Sequence, residues 1–199
     1  MRVSVIMPST MEVYPNAAKN RVGKLHRAIG SVLEQTHENW ELVVVADGCS
    51  QTVTEVRKYK DPRIKLYACQ KQALWSPGVR NLGISKAEGD LICYLDTDDM
   101  FGPEHLEIIT QNMGTHKAVW FNDWVYVSTS KEFGERSCNP KHQDMIGTSN
   151  VAHRSRTLWP SGGYKHDYHF VTRLAREHGL VKIETPRYLV CHIPRDYDV

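Results

Sequence analysis

The sequence predicts an α/β domain with a mostly parallel central sheet flanked by helices. Three observations carry that prediction. Short apolar runs alternate with segments of helical periodicity through the first half of the chain. The run 42–46 is apolar without alternation, as a central parallel strand covered on both faces requires. Polar clusters follow several strands at their carboxyl ends, where ligands of such sheets bind.

The elements follow in order. Residues 3–7 read as a buried strand stopped by Pro8. Val22, Leu25, Ile29, Val32 and Leu33 place a helix over 21–35. Residues 40–46 form the second strand, and Asp47-Gly48 turns the chain. Gln51 to Tyr59 reads as a helix broken at Asp61-Pro62, and Ile64 to Tyr67 as a strand. Pro77 to Ala87 is a helix with Ser76 as its cap and Pro77 in its first turn. Leu91 to Leu95 is a buried strand running into Asp96. In the second half, Pro103 to Met113 and Asp167 to Glu177 read as helices. Ala118 to Val127 reads as one strand, with Trp120 and Trp124 on one face by alternation. Residues 129–147 read as a polar loop, and Leu180 to Ile183 and Tyr188 to Ile193 as short strands.

At 199 residues the chain predicts a single domain over 1–199. A composition of 41% hydrophobic and 24% charged residues excludes disorder of the whole. The 25 Lys and Arg balance 23 Asp and Glu to +2, too little for a dedicated nucleic-acid binder. There is no apolar run of about 18 residues, so no transmembrane segment is expected. The five cysteines form no Cys-x-x-Cys pair, which argues against a disulfide framework or zinc ribbon and for a reduced, cytoplasmic protein.

Four constellations carry chemistry. Asp96-Thr97-Asp98-Asp99 follows a buried strand directly. Carboxylates so crowded repel one another unless neutralised, and a hard divalent cation does this well; the alternative is a solvated acidic turn. Asp47 ends the second strand, either as a turn residue or as an acceptor for a nucleobase imide or ribose hydroxyl. Arg80 lies early in a helix at the sheet's ligand edge, to meet phosphates or to pair with an aspartate. Asp167 enters a helix after Gly162-Gly163, as a cap or a general base. There is no Gly-x-Gly-x-x-Gly after the first strand, no phosphate loop and no Gly-x-Ser-x-Gly elbow.

With these residues in view, the chain resembles glycosyltransferase family 2, whose members have the GT-A fold. Val3–Thr10 is similar to the family's first strand and Pro-x-Thr turn. Ser31–Gly48 is similar to its helix, Gln-Thr turn, second strand and Asp-Gly. Gly78–Asp99 resembles its Arg-Asn-x-Gly helix running into the Asp-x-Asp strand, and Trp159–Tyr168 the segment that supplies its base. The resemblance implies a metal-dependent inverting glycosyltransferase that moves one sugar from a nucleoside-diphosphate sugar, UDP-sugar foremost, to a carbohydrate or other hydroxyl acceptor. It implies Mn²⁺ or Mg²⁺ as cofactor. Pro8, Thr10, Asp47, Arg80, Asp96 and Asp98 would bind the nucleotide sugar, Asp98 and His192 the metal, and Asp167 would take the acceptor's proton. It divides the chain into a donor half, 1–99, and an acceptor half, 100–199.

The sequence departs from the family at Ala46, where an acid is usual, at Cys49 in place of Ser, and at His166 in place of Glu. No Gln-x-x-Arg-Trp follows, which argues against processive synthesis. Trp120, Trp124, Trp159 and Tyr164 are candidates to stack on sugar faces, with core packing the alternative for Trp120 and Trp124. The 129–147 loop is expected to close over the acceptor. A sugar-phosphate nucleotidyltransferase needs a Gly-rich loop with a Lys after the first strand, which Pro8-Ser9-Thr10 does not supply. A phosphatase built on Asp-x-Asp-x-Thr/Val would not carry Met100 at the fifth position. A degenerate nucleotide-sugar-binding protein remains the other alternative.

Overall fold

A computed structural model describes residues 1–12, 19–73, 77–127, 129–160, 163 and 165–191. Among them, seven strands form the main sheet in the order β10-β6-β9-β4-β1-β2-β3. These are β1 (Val3–Ser9), β2 (Trp40–Asp47), β3 (Ile64–Cys69), β4 (Leu91–Tyr94), β6 (Ala118–Trp120), β9 (Val151–His153) and β10 (Val181–Lys182). A second sheet orders β5 (Met100–Phe101), β11 (Tyr188–Val190), β7 (Asp123–Val127) and β8 (Glu132–Arg136) as β5-β11-β7-β8. The helices are α1 (Arg21–Leu33), α2 (Ser50–Val56), α3 (Gly78–Lys86), α4 (His105–Asn112) and α5 (His166–His178).

β1 lies parallel to β2 and to β4, and β2 parallel to β3. The chain therefore walks outward from β1 to β3 and then returns to the other side of β1. That reversal opens a crevice beyond the carboxyl ends of β1 and β4. Pro8 follows the last β1–β4 pair, Ile6 with Tyr94, so the crevice opens where a residue without a backbone donor stands. β9 alone among the sheet's inner strands runs antiparallel to its neighbours.

Both faces of the sheet are covered. Val3, Val5 and Met7 pack with α1 and α4 on one face, while Ile6, Val43 and Val45 pack with α3 and α5 on the other. This is why the strands read as continuous apolar runs. α1 buries Leu25, Ala28, Ile29 and Val32, one stripe of its surface, and each large side chain contributes about 1.5–3 kcal/mol. Its amino end is capped by Asn20, whose side chain accepts from Gly23 N–H. Gly83 of α3 lies so close to β1 that a Cβ there would stand 2.5 Å from Ile6 Cγ2.

Gln35 locks α1 to α4. Its Nε2 donates to the Ser31 and Gly102 carbonyls, and its Oε1 accepts from Leu106 N–H, 2.9 Å away. Glu104 at the helix start makes no side-chain cap, so a residue distant in sequence satisfies one of α4's orphan donors.

Several elements differ from the sequence reading. The single strand expected over 118–127 breaks at Phe121-Asn122 and feeds two sheets. Phe121 is fully buried at the break, and Asn122 binds Cys138 N–H and Glu135 with its side chain. Alternation therefore does not place Trp120 and Trp124 on one face. The 129–147 segment is not all loop: β8 within it pairs antiparallel with β7. α2 ends at Val56 rather than Tyr59, and Pro77, not Ser76, holds the cap position of α3. Ser76 itself lies outside the described residues.

Candidate active site

The carboxyl ends of β1, β2 and β4 bring Thr10, Asp47 and Asp96 to one edge. Lys71 joins the first two, with its Nζ 3.0 Å from Asp47 Oδ2 and 3.3 Å from Thr10 Oγ1. Burial alone would lower the Lys71 pKa, but the Asp47 carboxylate, helped by Glu12, outweighs it and raises it. Asp47 Oδ1 accepts from Gln72 N–H at 2.7 Å. Gly48 makes room for this contact, because its φ is +62° and a Cβ there would meet the Lys71 backbone and Cβ.

The acidic turn is clipped from two sides. The Arg27 guanidinium of α1 donates to the Asp98 carbonyl at 2.6 Å. The Tyr188 hydroxyl donates to Asp99 Oδ2 at 2.9 Å and accepts from Asp96 N–H at 3.2 Å. Cys191 N–H donates to Asp99 Oδ1 at 2.8 Å. Asp99 is thus buried, 2% exposed, with both oxygens occupied. Burial, reinforced by Asp99 and Asp96, pushes the Tyr188 phenol well above its ordinary pKa, so it stays a donor.

Arg80 pairs with Asp96, Nη2 to Oδ1 at 3.1 Å, and lies 4.9 Å over the Trp159 ring. Its Nε is buried and finds no acceptor among the described residues. Trp159 stacks on Phe170 at 4.1 Å, donates from Nε1 to the Tyr94 hydroxyl, and lies 5.6 Å from the His166 ring. Asn81, next to Arg80, brackets the Trp159 backbone with both ends of its amide. One indole therefore connects the Arg80–Asp96 pair to the start of α5. There Asp167 Oδ1 accepts from the Thr148 hydroxyl and lies 3.3 Å from His166 Nε2.

The sequence pattern of Glycosyl transferase family 2 matches residues 4–173, a span that holds Thr10, Asp47, Arg80, the acidic turn, Trp159 and Asp167. The chain belongs to glycosyltransferase family 2. A curated relative, an uncharacterized glycosyltransferase of Haemophilus influenzae, is 31% identical over 190 residues, covering 88% of this chain and 72% of its own length. An uncharacterized glycosyltransferase of Rickettsia bellii is 40% identical over 109 residues. That match covers 54% of this chain and 14% of the relative, so the chain spans about one-seventh of that protein's length.

Solved structures support the same GT-A fold. S. aureus TarS 1-349 superposes with a TM-score of 0.74 at 17% identity, covering 96% of this chain and 60% of its own. The same protein has been solved with UDP-GlcNAc, with a TM-score of 0.68. A mannosyltransferase of Pyrobaculum calidifontis, solved with GDP-Man and Mn²⁺, has a TM-score of 0.69 at 15% identity, covering 98% of this chain and 58% of its own.

Within the family's frame, the residues expected from sequence fall into groups. Thr10, Asp47, Arg80, Asp96 and Asp98 gather at the crevice, and half-buried Pro8 lies at its floor in β1. Asp167 stands on a separate helix, linked to Arg80 and Asp96 through Trp159 and His166. His192 and Tyr164 lie outside the described residues. Trp159 is 3% exposed, so it packs the site from beneath and offers no face to a sugar. Trp124 is covered by the Arg187 guanidinium at 4.0 Å, and Trp120 by Lys182 at 5.0 Å.

Lys71, Arg27, Tyr188 and Thr148 were not foreseen. Each reaches the site across 19 to 92 residues of sequence, and no local pattern marks them. Among the described residues no helix is long and apolar enough to cross a membrane.

Proposed function

We propose that this chain transfers one sugar from a nucleoside-diphosphate sugar, UDP-sugar foremost, to an acceptor hydroxyl with inversion. The observation that carries the reading is the join at Trp159 between the Arg80–Asp96 pair and the Asp167 carboxylate. That join supports reading Arg80 as a phosphate-compatible cation and Asp167 as a base on two walls of one crevice. Residues 1–99 form the donor half and 100–199 the acceptor half, with Trp159 and α5 closing on the donor side.

Thr10 and Asp47 take the nucleoside, with Lys71 offering a donor beside the Asp47 acceptor. Arg80 holds Asp96 towards the ribose and has an uncommitted Nε for a phosphate oxygen. Asp167 deprotonates the acceptor hydroxyl as its oxygen attacks the face opposite the leaving diphosphate.

The residues fit a divalent cation that arrives with the nucleotide. Asp96 is held by Arg80 and Asp99 is buried and bonded to Tyr188 and Cys191, and the half-buried Asp98 carboxylate, second acid of the Asp-x-Asp turn, is the hard oxygen ligand in this reading. Among the described residues no three His, Cys, Asp or Glu side chains cluster to hold a resident ion. Bound there, Mn²⁺ or Mg²⁺ would neutralise charge building on the leaving diphosphate.

The test is calorimetry with UDP, GDP and dTDP, with and without Mn²⁺, followed by nucleotide release from the matching sugars. UDP should bind with Mn²⁺, and Asp98→Ala should lose the metal-dependent part. Asp167→Asn should keep donor affinity and lose turnover. Failure of all three nucleotides to bind overturns the reading.

A further inference from the structure

We propose that His166 and Thr148 are positioning residues for Asp167, holding one carboxylate oxygen so that the other serves as the base. The inference rests on the reading of Asp167 as that base. His166 is the first residue of α5 and is 3% exposed. Its Nδ1 lies 2.9 Å from the Gly163 carbonyl. A carbonyl only accepts, so Nδ1 carries a proton. The other nitrogen, Nε2, then faces Asp167 Oδ1 at 3.3 Å. That distance brings the ring and the carboxylate within ion-pair range, so the ring fixes where Oδ1 lies.

Thr148 converges on the same oxygen. Its hydroxyl donates to Asp167 Oδ1 from the short 3-10 turn Thr148–Asn150. That turn is itself anchored, because the Asn150 amide donates to buried Asp123 Oδ2 and its carbonyl oxygen accepts from Gly147 N–H. Asp167 Oδ2, by contrast, takes no hydrogen bond from any described residue. The Thr148 hydroxyl on Oδ1, with the His166 ring 3.3 Å from the same oxygen, sets the plane of the carboxylate and leaves Oδ2 for the acceptor. In the reaction the acceptor's proton passes to Oδ2 as its oxygen bonds the anomeric carbon, and the bond from that carbon to the diphosphate breaks, the electron pair leaving with the nucleotide. A base held in this way loses less orientation entropy in the transition state than a freely rotating one.

The two amide variants of His166 separate its contacts. Glutamine reaches the position of Nε2 and can donate to Asp167, whereas asparagine reaches only the position of Nδ1. The assay is nucleotide release from UDP-glucose, UDP-GlcNAc and GDP-mannose, using the donor that turns over, with water as acceptor. His166→Asn should lower kcat about 10- to 100-fold at unchanged donor KM. His166→Gln should recover most of that loss. Thr148→Val should lower kcat about tenfold, again at unchanged KM.

Wild-type kcat in His166→Asn, beside an inactive Asp167→Asn, overturns the positioning role alone. Equal losses in the asparagine and glutamine variants also overturn it, since they reduce His166 to packing. If His166→Asn does not melt cooperatively, Thr148→Val carries the test, and an unchanged kcat there refutes the proposal. Turnover in Asp167→Asn removes the base itself, and this inference with it.

Discussion

Acidification from pH 7 to pH 5 should destabilise this fold by about 4 kcal/mol, through two histidines that the core holds neutral. His105 stacks on Phe101 at 3.9 Å and meets the edges of Phe121 and Tyr188. Burial drives its pKa down to about 3, against a smaller upward pull from the Arg187 backbone. His153 is gripped between the Tyr94 hydroxyl and the Ser155 carbonyl, and burial lowers its pKa to about 4. In the unfolded chain both would titrate near 6.5, so the unfolded state takes up protons first. The stability they protect is complete above about pH 6.5 and falls as the pH drops towards 4 and 3. Between pH 7 and 5 the linkage amounts to about 2 kcal/mol for each ring. Urea unfolding at the two pH values measures it. His105→Phe should halve the loss, to about 2 kcal/mol, because its steric effects are equal at both pH values and cancel in the difference. A wild-type loss under about 1 kcal/mol refutes the reasoning, as does a His105→Phe variant that loses as much as wild type.

Two further outcomes follow from single contacts. Gln35→Ala should lower stability by about 3 kcal/mol, read from the urea midpoint, because Leu106 N–H and the Gly102 carbonyl are left buried without partners. Cys49 should be the first thiol alkylated by iodoacetamide at pH 7.5, and UDP should slow it. Burial works against its thiolate, but the Thr52 side chain and the Thr52, Met11 and Gln51 backbone donors outweigh that and lower its pKa. Burial raises Cys138 to about 11 and Cys191 to about 12, and raises Cys69 and Cys93 as well. Peptide mass spectrometry gives the order, and faster labelling of Cys69 would contradict it.

The first half of the fold was legible because its signals are local. A strand covered on both faces must be apolar at every position, and 42–46 is. The order of strands, helices and Asp-ended turns alone puts Thr10, Asp47, Arg80 and Asp96 at one edge of the sheet. The second half was less legible for physical reasons. β9 and β6 have three residues each, too few for a period to declare itself. The break at Phe121-Asn122 is enforced by contacts to Cys138 and Glu135, which sequence spacing does not reveal. Trp159 looked like a sugar platform because an aromatic residue near a site often is one. Its burial comes from α5 and Tyr94, whose approach depends on the whole sheet.

The acidic turn shows how a crowded carboxylate cluster is resolved. Three aspartates in four residues would repel, and a cation for all three was one resolution. The fold instead treats them separately. Asp99 is buried against a phenol and a backbone N–H, and Asp96 is given the Arg80 guanidinium. Arg27 holds the Asp98 backbone through its carbonyl, and the Asp98 side chain is half-buried in the turn. Its repulsion from Asp96 is already reduced by Arg80. A single carboxylate is a weak anchor for Mg²⁺ or Mn²⁺, which usually complete their shells with phosphate oxygens and water. The cation's affinity should therefore depend on the diphosphate. In calorimetry, Mn²⁺ without nucleotide should bind far more weakly than Mn²⁺ with UDP. Equal affinity in the two titrations would show that the ion site is built by the chain itself and that this division of the turn is wrong.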